Sequence, residues 1–373
     1  MKVIILGPAW PYRGGIAAFD ERLAHQYIKE GHEVELVTFT LQYPSFLFPG
    51  KTQYSTEPAP QRLTVKRLMS SVNPFSWLRA GAYIRRQKAD LVVCAFWLPF
   101  MAPCLGTVLR CARRKGTRRV AVVHNLIPHE HRIGDKPFAR YFVRSCDAFV
   151  TLSRSVLDDI GRFDTGQRRP RTYSPHPLYD HYGDSIPRNE ALQQLGLRPS
   201  DRYVLFFGFI RDYKGLDLLL KAMADERLAT LGVKLIVAGE FYGDPKPYND
   251  LISRLDLGSR VVMHTEFIPD HEVGRYFCAA DVVAQPYKSA TQSGVSQIAY
   301  HFAKPMVVTN VGGLPEIVPD GRCGFVVEPD AQSIADALVR YFDEDWRQRL
   351  TDGVLEEKQK YGWDKMTAAI NSL

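Results

Sequence analysis

Short β-rich apolar runs alternate with amphipathic stretches twice along this chain, once on each side of a proline-rich break. In the first half KVIILG (2–7), HEVELVTF (32–39), ADLVVCAF (89–96), RVAVVHN (119–125) and DAFVTLS (147–153) read as strands, and AAFDERLAHQYIKEG (17–31) as a helix closed by Gly31. In the second half RYVLFFGF (202–209), KLIVAGEF (234–241), RVVMHTEF (260–267), ADVVAQPY (280–287), PMVVTN (305–310) and GFVVEP (324–329) read the same way. Nearly continuous apolar strands separated by helices call for a parallel sheet covered on both faces. Pro170, Pro175, Pro177, Pro187 and Pro199, with the run RRPR, suit an interdomain connection better than a core element. The expected fold is α/β: two Rossmann-like halves facing a central cleft. The expected boundaries are 1–180, 181–355, and a C-terminal helix over 356–373 that packs back towards the first half.

The nineteen uncharged residues of LVVCAFWLPFMAPCLGTVL (91–109) are long enough to raise a membrane span. Pro99, Pro103 and the strand composition of LVVCAF favour a strand, a short loop and a helix from about 100 to 115 instead. MKVIILGPAW is too short in its apolar part for a signal peptide. The six cysteines show no CxxC spacing and read as reduced thiols, so a cytoplasmic protein is expected. The net charge of +7 divides unevenly, +13 over residues 1–180 and −6 over 181–373, so the first half suits an anionic partner.

Neither GxxxxGK[ST] nor GxGxxG occurs, which disfavours a dehydrogenase. Other turns suit an anion. PYRGGIAAF (11–19) follows the first strand and brings Gly14 and Gly15 to a helix start, where backbone amides can approach a ligand. In YVLFFGFIRDYKGLDLLLKA (203–222) a strand passes through Gly208, Arg211 and Lys214 into a helix near Gly215. Two cations beside the positive end of a helix dipole suit a ligand with at least two negative charges, such as a diphosphate. TQSGV (291–295) joins a strand to a helix through small residues, Ser293 and Gly294, that leave amides open to an anion.

The second half resembles the C-terminal domain of family-4 type glycosyltransferases with the GT-B fold, through GFIRDYKGLDLLLKA, VAGE, HTEFIPDHEVGRYFCAADVVAQPY and KPMVVTNVGGLPEIVPDGRCGFVVEPD. The first half resembles it more loosely, through GPAWPYRGGIAAFDERLAHQYIKEGHEVELVT and VVHNLIPHE. The resemblance implies transfer of a sugar from a nucleotide-diphosphate sugar with retention of anomeric configuration, no bound metal, and no cofactor beyond the donor substrate. It implies that Arg211 and Lys214 take the donor diphosphate and that Gly15 packs against the phosphates, with Gly14 beside it on the donor side. Ile268, after Phe267, would hold the base through backbone contacts, and His124 would approach the donor sugar. Gly208, Gly239, Glu240, Ser293, Gly294 and Val295 fall on the donor side.

This chain departs from the family at one point. Two glutamates eight positions apart are usual around TQSGVSQIAY, but here those positions hold Ala290 and Ile298, or in the other register Thr291 and Ala299. Gln292 and Gln297 are the nearest polar substitutes. The departure keeps a non-catalytic or rearranged sugar-nucleotide-binding protein, and a GT-B epimerase or hydrolase, as alternatives.

Ten Lys and Arg between 79 and 119 share their window with one acid, Asp90. Arg85, Arg86, Arg113 and Arg114, with Phe46, Phe48 and Trp77 nearby, have the composition of an interfacial contact with an anionic membrane. Glu130, in HNLIPHEHR, is expected at the cleft. The acceptor is expected to be a saccharide or a lipid-linked group. Nucleic acid is not expected, since no recognition motif accompanies the basic residues.

Overall fold

The structure is a computed structural model and describes residues 1–44, 52–55, 58–127, 134–166, 169–290, 293–344 and 346–373. The chain forms two compact units, Met1–His176 with Trp363–Leu373, and Pro177–Gly362.

The first unit holds a seven-stranded sheet of β1 (Lys2–Leu6), β2 (Glu33–Leu41), β3 (Thr64–Ser70), β4 (Leu91–Phe96), β5 (Arg118–Val123), β6 (Ala148–Thr151) and β7 (Arg171–Tyr173), in the order β3-β2-β1-β4-β5-β6-β7. All pairings are parallel. The period of two explains why LVVCAF carries no polar residue: Val92, Cys94 and Phe96 enter one core cluster while Leu91 and Val93 enter the other. Each fully buried side chain of this size contributes about 1.5–3 kcal/mol. Pro99–Met101 is a 3-10 turn leading into the helix Ala102–Cys111, and no helix among the described residues is long and apolar enough to cross a membrane.

Two strands were not legible in the sequence. Edge strand β3 buries only Met69 fully and leaves its other positions exposed or half-buried, so it lacks an apolar run. Edge strand β7 is three residues inside the proline-rich stretch that sequence reading gave to a connection. An edge position tolerates the neighbouring Pro170, whose carbonyl accepts from Phe149 N–H at 3.0 Å.

The final helix, Trp363–Asn371, seats Trp363, Met366 and Ile370 in the same cluster as Phe19, Leu23 and Tyr27. Thr367 Oγ1 donates to Glu30 Oε1 (2.6 Å), and Tyr27 Oη to Asn371 Oδ1 (3.2 Å). The preceding helix Arg347–Lys358 belongs to the second unit, so the chain passes between units at 362/363.

The second unit holds β8 (Arg202–Phe207), β9 (Val233–Ala238), β10 (Val261–His264), β11 (Val282–Gln285), β12 (Met306–Thr309) and β13 (Gly324–Val327), parallel, in the order β10-β9-β8-β11-β12-β13. The order reverses between β8 and β11. In open parallel sheets ligands bind beyond the C-terminal ends of the strands at such a switch point. The connections leaving β8 and β11 are therefore where chemistry is expected.

Candidate functional site

The loop after β8 is built from glycines because backbones crowd there. Gly208 has φ +98°, and Gly239, just after β9, has φ +143°. A Cβ on Gly239 would lie 2.2 Å from the Gly208 carbonyl oxygen. Gly208 N–H donates to Ala238 O (2.9 Å), Ile210 N–H to Glu240 O (2.9 Å) and Tyr242 N–H to Ile210 O (2.9 Å), so the two loops continue the pairing of their strands. Glu240 is buried.

Arg211 then caps a 3-10 turn, Asp212–Lys214, and Gly215 at φ +68° starts the helix Leu216–Met223. A Cβ on Gly215 would fall 1.8 Å from Pro286 O, so this turn is pressed against the end of β11. The Arg211 guanidinium lies 4.1 Å from the Tyr242 ring centre, and Tyr242 packs edge-on against Phe209 at 4.8 Å. The Lys214 ammonium lies 5.5 Å from the Tyr287 ring centre. Burial first, then the neighbouring Arg211, lowers the Lys214 pKa from 10.5 to about 8. Among the described residues neither Arg211 nor Lys214 makes an ion pair.

The connection after β11 completes the site. Tyr287 Oη and Ser293 Oγ are 3.1 Å apart, and Ser293 Oγ accepts from Val295 N–H (3.2 Å), capping the helix Gly294–His301. A Cβ on Gly208 would have both Lys214 Nζ (2.9 Å) and Val295 Cγ2 (3.8 Å) beside it, which brings the β8 loop, the lysine and this helix start together. Gly294 is required by the Tyr179 ring, 2.8 Å from where its Cβ would be. One turn into the helix, Gln297 is fully buried, and neither atom of its amide finds a hydrogen-bond partner among the described residues. Its neighbour Ser296 donates to Gln285 Oε1 (3.0 Å).

The remaining residues expected on the donor side lie elsewhere. Phe267, 36% exposed, and Ile268, half-buried, follow β10. That strand is two away from β8, about 10 Å at sheet spacing. Gln292 lies outside the described residues.

In the first unit, Gly14 (φ +116°) caps the helix Gly15–Lys29, and both glycines are exposed. The helix begins two residues earlier than the sequence pattern indicated, because the glycine pair itself starts it. His124 follows β5 directly and its N–H donates to Phe96 O (2.8 Å). Its ring packs edge-on to Phe19 (4.9 Å) and lies 6.3 Å from the His176 ring. Burial, with His176 beside it, lowers its pKa to about 3, so it is a neutral imidazole at ordinary pH. Nε2 has no partner among the described residues.

One surface assignment needs correcting. Trp77 is not an exposed anchor: it packs against the core, and its indole N–H donates to Ser70 O. The exposed apolar residues on and before the helix Pro74–Gln87 are Val72 (49%), Phe75 (82%) and Leu78 (51%), which composition alone did not separate from Trp77. Arg85, Arg86, Arg113 and Arg114 are exposed. Arg119 is buried and pairs with Asp147. Phe46, Phe48 and Glu130 lie outside the described residues. Tyr242, Tyr287 and Lys288 were missed as site residues; Tyr287 was visible only as the last aromatic of its strand run.

Two family models match the chain in succession: "Glycosyltransferase Family 4" over residues 13–175 and "Glycosyl transferases group 1" over 201–344. A D-inositol 3-phosphate glycosyltransferase of Thermobifida fusca is 27% identical over 94% of this chain and 86% of that protein. One of Corynebacterium aurimucosum is 30% identical over 60% of this chain and 55% of that protein. Among solved structures, sucrose-phosphate synthase of Thermosynechococcus elongatus aligns with TM-score 0.76 at 17% identity, covering 100% of this chain and 98% of that one. Anabaena HepE in complex with UDP-glucose aligns with TM-score 0.74 at 18% identity, again covering 100% and 98%. Matched in both halves, this enzyme belongs to the family 4 glycosyltransferases, with the GT-B fold.

Proposed function

We propose that this chain moves a sugar from a nucleoside-diphosphate sugar to a saccharide or lipid-linked acceptor, retaining anomeric configuration and using no metal ion. The observation that carries the reading is Lys214: a half-buried cation, its ammonium partly desolvated, beside the exposed Arg211, with no carboxylate on either among the described residues. Partial desolvation of Lys214 and its repulsion by Arg211 are both relieved when an anion of at least two charges arrives. In the transfer step the bond from the anomeric carbon to the diphosphate breaks, and negative charge grows on the leaving oxygen. Arg211 and Lys214 stabilise that charge where a metal would otherwise do so. Binding of UDP-glucose by HepE, which shares the fold, supports a nucleotide sugar as donor. The retained configuration and the absence of metal rest on the family resemblance.

The acceptor side of the reading rests on charge and exposure. Phe75 and Leu78 project from a helix that ends in Arg85 and Arg86, the composition of a reversible contact with an anionic membrane surface. These features support a peripheral location at the cytoplasmic face of a membrane as part of the reading.

The test is calorimetric titration of UDP, GDP and ADP, and of their sugars, in EDTA, into the parent chain and into Arg211→Ala/Lys214→Ala. One nucleotide should bind the parent and not the double variant. Equal binding to both removes the diphosphate role. Turnover that requires added divalent metal removes the metal-independent mechanism.

A further inference from the structure

The turn that carries the two cations also carries two acids. Asp212 adjoins Arg211, and Asp217 lies in the first turn of the helix that follows Lys214 and Gly215. Left to itself the segment 211–217 is neutral, and its acids are the nearest anions its cations could find. The structure gives them other partners: Lys221 Nζ stands at the outer range of an ion pair, 3.9 Å from Asp217 Oδ2, and Lys288 holds both acids closely. Lys288, three residues beyond β11, places Nζ 2.7 Å from Asp212 Oδ1 and 2.9 Å from Asp217 Oδ1. Its backbone N–H donates to Tyr213 O at 2.7 Å, so both ends of the residue grip the turn. Tyr213 in turn packs edge-on to Tyr287, the ring under the Lys214 ammonium.

We propose that Lys288 is a positioning residue: it takes up both carboxylates that border the cation pair and so leaves Arg211 and Lys214 unpaired for a diphosphate. It does not touch the ligand. With Lys288 the local charge becomes +1 and the acids are spoken for. Without it, Asp212 can turn to Arg211, and Asp217, left with only the distant Lys221, can turn to Lys214, so that an incoming diphosphate must displace them. Burial pulls the Lys288 pKa down, but its bonds to the two acids outweigh this and raise it, so the clamp stays charged while Lys214 nears its own titration. The proposal rests on the diphosphate reading of Arg211 and Lys214.

The experiment titrates inorganic pyrophosphate, UDP, GDP and ADP into the full chain and its variants, with thermal melts alongside. Lys288→Ala should weaken diphosphate binding by about tenfold or more, about one carboxylate's competition for a charge-assisted bond. Lys288→Arg should stay within about threefold of the parent. The deciding variant is Lys288→Ala/Asp212→Asn/Asp217→Asn: with the acids neutralised, binding should return to within about threefold of the parent. A structural role for Lys288 predicts no such rescue. Unchanged binding in Lys288→Ala, or no recovery in the triple variant, overturns the proposal. If Lys288→Ala does not fold, Asp212→Asn/Asp217→Asn in the parent background decides: binding at least as tight as the parent supports the proposal, weaker binding overturns it. A parent that binds no diphosphate overturns the donor reading itself. A parent that binds while Lys288→Ala is unaltered overturns only the role of Lys288.

Discussion

The ammonium of Lys214 occupies the space a side chain at Gly208 would claim: a Cβ there would lie 2.9 Å from Nζ. The glycine after β8 is thus part of the proposed anion site. Gly208→Ala must push the flexible lysine away and hold φ near +98°, a strain of about 1–2 kcal/mol. We expect a folded protein with a lower melting temperature and diphosphate affinity reduced by about tenfold. Calorimetry on the variant checks this, and parent-like affinity would mean that Nζ is not where the phosphate is read. Gly239→Ala should be worse, since its Cβ meets the Gly208 carbonyl 2.2 Å away, and a backbone cannot step aside as a lysine can.

Diphosphate binding should carry a pH signature from Lys214. Its pKa without ligand is about 8, and a bound anion raises it. Affinity is then flat below pH 8 and falls as pH rises through that value, because the proton must be restored on binding. Titration from pH 6.5 to 9.5 should show the decline in the parent. Lys214→Met should bind weakly and without it. His124 contributes no step above about pH 4, since it is already neutral there.

Most of this architecture was legible because buried parallel strands are written as apolar runs, and LVVCAF or YVLFF can be little else. The cations were legible because Arg211 and Lys214 stand between glycines at a strand-to-helix turn. What was hidden depends on neighbours distant in sequence. Lys288 is 71 residues from Asp217, and nothing in either segment announces the pair. Trp77 and Phe75 look alike in composition, and only the helix phase sends one to the core and the other to solvent. The short strand β7 is hidden by the proline beside it.

That helix phase makes the membrane reading specific. Phe75→Ser/Leu78→Ser should reduce cosedimentation with phosphatidylglycerol vesicles, because it removes apolar area worth about 25 cal/mol per Å². Arg85→Glu/Arg86→Glu should reduce it too and make it insensitive to salt, each charge near an anionic surface being worth about 1 kcal/mol. Trp77 is not a clean test, since its substitution damages the core. Equal recovery of parent and both variants with vesicles would discard the surface.

Asp20 sits fully buried on the helix Gly15–Lys29, with Oδ2 unpartnered among the described residues and against Gly7, where a Cβ would meet it at 2.1 Å. Burial, reinforced by the charge of Glu21, raises its pKa well above the usual carboxylate range. The folded state therefore holds this proton more tightly than the unfolded state, so this group's contribution to stability falls as pH rises from about 4 towards the folded pKa. Asparagine has the same shape and no proton to lose. Asp20→Asn should thus gain on the parent as pH increases, by up to about 1.4 kcal/mol per pH unit within that window. Denaturant melts of both proteins at pH 4.5, 6 and 7.5 measure the difference, in which the opposite acid-side contribution of His124 cancels. A gap between the two proteins that is constant with pH would mean that Asp20 is ionised in the fold and has an anion-satisfying partner. A gap that widens would identify it as a neutral acid held beside Gly7.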